Sequence, residues 1–187
     1  YTQGLHVYIA LVADFARQPV HTAFQVLHLV FQPLAGLLVL RLALQIFGEY
    51  RIGVLALIAY EFLCSHGSFF SYYQWGGLPT ELGTVFFLTV VWVALADRSR
   101  RGTELAVLCY GSLVMTHHLS GLIATGVLGF YLVVSWVGRT DGALRGWILR
   151  LWPLTLVAYA FYIVPYVADH LGHISHTDVL RFYDDDL

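Results

Sequence analysis

Nine histidines are the side chains of this sequence best suited to meet a ligand: His6, His21, His28, His66, His117, His118, His170, His173 and His176. Imidazole donates to anions, ligates metals and exchanges protons near neutral pH. His117 and His118 are adjacent, so on a helix they point about 100° apart and are ill placed to share one metal. Each can instead offer an N–H to an anion where the apolar run from Leu119 begins, because the free backbone donors of a helix start favour negative charge. A polar hairpin tip that only wets the turn is the plainer alternative. His170, His173 and His176 recur every third residue near Asp169 and Asp178. His170, His173, His176 and Asp178 form a candidate site for a divalent metal, Mg or Mn, although the same spacing suits a surface helix. Asp184-Asp185-Asp186 reads as a solvated end.

The stretch Ser65–Pro79 has no Asp, Glu, Lys or Arg and is crowded with aromatics. His66, Tyr72, Tyr73 and Trp75 could form a platform for a sugar ring or lipid headgroup, or simply an aromatic belt at a membrane boundary. Gly76-Gly77 permits a tight turn, and Thr80 with Glu81 suits a helix start. Glu61 is the acid well inside an apolar run. A carboxylate there demands a partner, either His66 or a neighbouring helix.

These residues must be positioned by membrane helices. Of 187 residues, 58% are hydrophobic and 12% charged, and the mean hydropathy is +0.69. A soluble fold of this size exposes too much surface to hide that much apolar area. Ten arginines, no lysine and twelve acids give a formal charge of −2, which excludes a nucleic-acid binder. A bilayer crossing needs ~20 apolar residues. The runs Thr22–Phe47, Ile52–Ser65, Glu81–Ala96, Thr103–Thr116, Leu119–Val137 and Trp147–Val167 predict an all-α, polytopic membrane protein with six spans, two of them short. Leu5–Ala16, interrupted by His6 and Asp14, predicts an interfacial or re-entrant helix, or the end of an earlier span. The expected organisation is an outer segment over 1–21, a six-helix bundle over 22–168 and an outer acidic, His-bearing tail over 169–187.

Eight arginines fall in three connections: Arg41 and Arg51, then Arg98, Arg100 and Arg101, then Arg139, Arg145 and Arg150. By the positive-inside rule that side is cytoplasmic and both termini lie outside. All nine histidines then fall at the outer face. Gly121, Thr125 and Gly129 mark a close-packing helix face. Cys64 and Cys109 lie in apolar runs and read as small core residues. No P-loop, GxSxG, HExxH or CxxCH is present.

Three stretches resemble the GT-C class of polytopic glycosyltransferases: Tyr1-Thr2-Gln3-Gly4-Leu5-His6 with the apolar segment after it, the aromatic loop Tyr72–Pro79, and Thr116-His117-His118-Leu119-Ser120. The resemblance implies an integral protein of a prokaryotic plasma membrane that binds a polyprenyl-phosphate sugar donor at the outer face. His6, Glu61, His66, Tyr72, Tyr73, Trp75, His117 and His118 would line that site. The family's catalytic acid sits in a first outer loop, which would precede Tyr1, and Asp14 falls on a different segment. Transfer is therefore expected only if the chain is part of a longer enzyme. The alternative is a structural or assembly subunit among other membrane subunits. Haem or chlorophyll ligation by His28 is a third.

Overall fold

A computed structural model of the chain describes residues 3–65 and 78–174, and over these it is all-helical. The elements are α1 (Gln3–Ala16), α2 (Val20–Phe47), α3 (Tyr50–Ser65), α4 (Leu78–Ala96), α5 (Arg100–Thr116), α6 (His118–Val137), α7 (Gly142–Ala158) and α8 (Ala160–Ile174). The helices begin and end close to the expected runs. Their ends are chemically marked: Gly48 adopts the left-handed conformation (φ 70°) and its N–H donates to the Leu44 carbonyl, while the Ser99 hydroxyl accepts from the Gly102 N–H.

Apart from the twelve residues between α3 and α4, the connections are one to four residues long and keep successive helices packed side by side or end to end. α2 packs on α1, α3 and α4; α4 also packs on α5 and α6; α5 and α6 both meet α7. α4 is the central helix, burying Leu82, Val85, Val90, Val93 and Ala94. The main core joins α4 through α7 around Leu113, Ala124, Ile148 and Leu151, and a second cluster joins Ile9 and Ala13 of α1 to Ala23 and Leu82. α1 doubles back along α2 and reaches α5, where the Tyr8 hydroxyl donates to Ser112 Oγ at 3.1 Å. Val7, Leu11 and Phe15, one helical face, point outward.

The run Trp147–Val167, expected as one span, is broken at Tyr159 into α7 and α8. The Tyr159 ring lies against Gly111, where a Cβ would stand 2.0 Å from a ring carbon. Its hydroxyl donates to the Leu108 carbonyl at 3.0 Å and pairs with Ser112 Oγ at 3.3 Å. Anchoring that ring on α5 interrupts the helix between Pro153 and Pro165, neither of which has an N–H to give. Among the described residues two helices, α2 and α6, are long and apolar enough to cross a bilayer, so the expected six spans are not all seen.

At the arginine-bearing end, one carboxylate ties two connections together. Asp141 accepts from Arg98 Nη1 at 3.1 Å and Nη2 at 3.3 Å, and caps α7 by accepting from the Leu144 N–H at 2.9 Å. Arg98 also donates from Nε to the Ala94 carbonyl at 2.7 Å. Asp141 has a positive φ (36°), a conformation that Asp and Asn tolerate better than other side chains. The Leu144 N–H, and after it Arg98, hold its carboxyl below the ordinary value of 3.8. A depressed pKa gives stability that is present above the ordinary value and lost as pH falls below it. Asp141→Ala is expected to destabilise the protein by the worth of a cap, about 1 kcal/mol, read as a lower melting temperature. Asp141→Asn, which keeps cap and backbone but not charge, should cost less and flatten the acid limb of a melting-temperature profile.

Candidate functional site

The His117 turn lies at the opposite end of α5 from the Arg98–Asp141 pair. α5 and α6 are separated there by His117 alone. Two close approaches shape this turn. Gly121 of α6 lies against the Val114 backbone, and Gly83 of α4 lies against Ser120 and Leu113. The second turn of α4, the first of α6 and the last of α5 therefore converge. Thr116, fully buried, donates to the Ser112 carbonyl at 2.8 Å.

His117 caps α6. Its Nδ1 accepts from the Ser120 N–H at 3.3 Å and pairs with Ser120 Oγ at 2.5 Å. An Nδ1 that accepts is unprotonated, which assigns the proton of the neutral ring to Nε2. Partial burial pulls the imidazole below its ordinary value of 6.5. The ring thus satisfies one of the backbone donors that were expected to meet an anion, leaving Nε2–H as its remaining donor. His118 is the first residue of α6, and its side chain lies outside the described residues.

Glu61 turns to the neighbouring helix. Gln32 Nε2 of α2 donates to Glu61 Oε2 at 3.3 Å, and Oε1 occupies the space above Gly36, where a Cβ would stand 2.2 Å from it. Gln32 and Gly36 are four apart and so share a face of α2. His28, one turn earlier on that face, is buried at 9% exposure, whereas His6 and His21 are exposed. His66, Tyr72, Tyr73 and Trp75 lie outside the described residues, as do His176 and Asp178. His170 and His173 fall on α8, with side chains outside the description. Among the described residues, no three His, Cys, Asp or Glu side chains come together as a metal site.

Sequence reasoning missed the hydroxyl cluster of Tyr8, Ser112 and Tyr159, which draws on α1, α5 and the α7–α8 break. It also missed the pair between Tyr110 and Thr125 that ties α5 to α6. Tyrosine and serine scattered in apolar runs carry no spacing signal that pairs them. No family model matches the chain, and neither a curated protein nor a solved structure matches it.

Two outcomes check this geometry. Gly36→Ala should destabilise the protein by the ~1–3 kcal/mol typical of overpacking, and by clearly less in a Glu61→Ala background; equal costs in a double-mutant cycle would place the carboxylate elsewhere. For His117, a depressed imidazole pKa gives stability that is complete above 6.5 and falls on acidification below it. His117→Asn keeps a capping oxygen without titrating, so the variant should melt at a temperature less sensitive to pH than the wild type, whereas His117→Ala should melt lower throughout.

Proposed function

We propose that the chain is a membrane-embedded helical bundle of about six crossings whose histidine-bearing end faces outward and receives an anionic, lipid-linked sugar, in the manner of GT-C proteins. Support for the membrane setting comes from where the apolar side chains lie. In the crossing windows of α2 and α6 only 22% of residues are buried inside the protein. The core helix of a soluble protein would bury most of such a window. Phe130, Val133, Trp136 and Val137 of α6 and Phe161 and Val164 of α8 all face outward. Exposure on that scale is stable in lipid and hazardous in water.

The single observation that carries the outer-face reading is the packing of Gly83 against Ser120. α4 emerges directly from the aromatic stretch containing Tyr72, Tyr73 and Trp75, five residues before Gly83. The start of α4, at Leu78, therefore lies near the His117 turn. On this reading His118 and the Nε2–H of His117 donate to phosphate, the aromatics face the sugar, and His6 borders the same hollow. Membrane lipid surrounds the bundle. Transfer itself, with a carboxylate activating an acceptor hydroxyl, is assigned to no residue of this chain.

A structural or assembly role within a larger membrane complex is the second reading. It is favoured by the use His117 and Glu61 already have, one as a helix cap and the other as a clasp between α2 and α3.

Titration of the purified protein with a polyprenyl phosphate, followed by tryptophan fluorescence, separates the two. The double variant His117→Asn/His118→Ala keeps a cap and removes both imidazoles. The expected result is saturable binding by the wild type and at least about tenfold weaker binding by the variant, the worth of one hydrogen bond to a charged group. Equal affinities would remove both histidines from the site, and no binding by the wild type would leave the structural role.

A further inference from the structure

We infer that the arginine-bearing end of the bundle is a binding surface for the phosphates of anionic lipids, formed by Arg41, Arg51, Arg101, Arg139 and Arg150; the inference rests on the membrane setting proposed above. Eight arginines and four acids (Glu49, Asp97, Glu104 and Asp141) occupy this end, a net charge of four positive. The structure divides the arginines into two groups. Arg98 is held by Asp141, Arg100 by Glu104 at 2.9 Å, and Arg145 donates to the Ser135 carbonyl at 3.4 Å. The other five are exposed and have no ion pair among the described residues.

Their placement selects the partner. They come from α2, α3, α5, the α6–α7 connection and α7, five separate segments and not one loop or helix. Separate cations carried on separate segments fit a layer of separate phosphates better than they fit one soluble polyanion.

Arg41 and Arg150 add the decisive detail. Arg41 lies six residues before the end of α2 and Arg150 eight after the start of α7, about 9 Å and 12 Å along their helices. Each shares its face with an outward leucine one turn further from the helix end, Leu37 for Arg41 and Leu154 for Arg150. An arginine so placed lays its methylenes along apolar surface and carries its guanidinium back toward the headgroups. Leucine beside guanidinium is the complement of an acyl chain beside a phosphate, and a planar guanidinium can grip phosphate through two N–H donors.

The test uses the whole protein reconstituted in phosphatidylcholine vesicles containing phosphatidylglycerol, with the motional restriction of spin-labelled phosphatidylglycerol and phosphatidylcholine compared at the protein surface. Wild type is expected to prefer the anionic label, and added salt to weaken that preference. Arg41→Gln/Arg150→Gln and, separately, Arg101→Gln/Arg139→Gln should each reduce it toward parity. Arg100→Gln/Glu104→Gln, which removes a closed pair without changing net charge, should leave it intact. Equal association of the two labels with inserted wild-type protein overturns the lipid surface and leaves the membrane setting standing. A preference unchanged in both arginine variants overturns the assignment to these side chains. Failure of the protein to float with vesicles of either composition overturns the membrane setting itself, and this inference with it.

Discussion

Most polar groups inside this bundle satisfy one another, because its outside is nearly as apolar as its inside; among the described residues the indole N–H of Trp152 is the buried group left without a partner. In a water-soluble helix bundle a serine or glutamate can turn outward to be solvated. Here the helices expose leucine, valine and phenylalanine over most of their length, and an unsatisfied polar group in such surroundings costs several kcal/mol. The consequence is visible across the helix interfaces. Glu61 meets Gln32, Tyr110 meets Thr125, Tyr8 and Tyr159 meet Ser112, and the indole of Trp147 donates to Thr103. Each of these pairs also joins two helices. Glycines make room where an approach must be close, at Gly36 for a carboxylate and at Gly111 for a tyrosine ring. Satisfying the polar groups and fixing the order of the helices are here one requirement.

The two ends of the bundle solve a different problem, since helix termini leave backbone groups without partners. At one end the solution is ionic: Asp141 caps α7 and binds Arg98 of the neighbouring connection. At the other it is neutral, with His117 capping α6 through an unprotonated ring nitrogen. A neutral cap is the consistent choice where a turn of one residue is pressed between α4, α5 and α6. A permanent charge there would be costly to bury, whereas the Arg98–Asp141 pair, each about one-third exposed, keeps much of its solvation.

Helix positions were readable from the sequence because they depend on summed apolar content, which a span of twenty residues averages well. The runs ending at Phe47, Ser65, Ala96, Thr116 and Val137 end at those same residues in α2 through α6. The break at Tyr159 was not readable, since the sequence around it is as apolar as any span and the cause is a notch at Gly111, forty-eight residues earlier. Glu61 was legible as a residue needing a partner. Its partner was open between His66 and another helix, and Gln32 could be named only once α2 and α3 were in register. His117 was legible as a residue of the α5–α6 turn, whereas the acceptance by its Nδ1 of a backbone N–H of α6 was not.

That capping bond narrows what the α5–α6 turn can do. A histidine held through Nδ1 has its ring plane and tautomer set by the fold, so its Nε2–H is aimed before any ligand arrives. Preorganisation of this kind lowers the entropic cost of binding an anion, and it also ties binding to the state of the cap. Protonation would add a second donor and a positive charge, both attractive to phosphate, while removing the acceptor on which the start of α6 depends. The two effects oppose each other in the same ring. A turn that serves a ligand through His117 must therefore work with the neutral imidazole, and the electrostatic share of anion recognition must fall to donors other than this one.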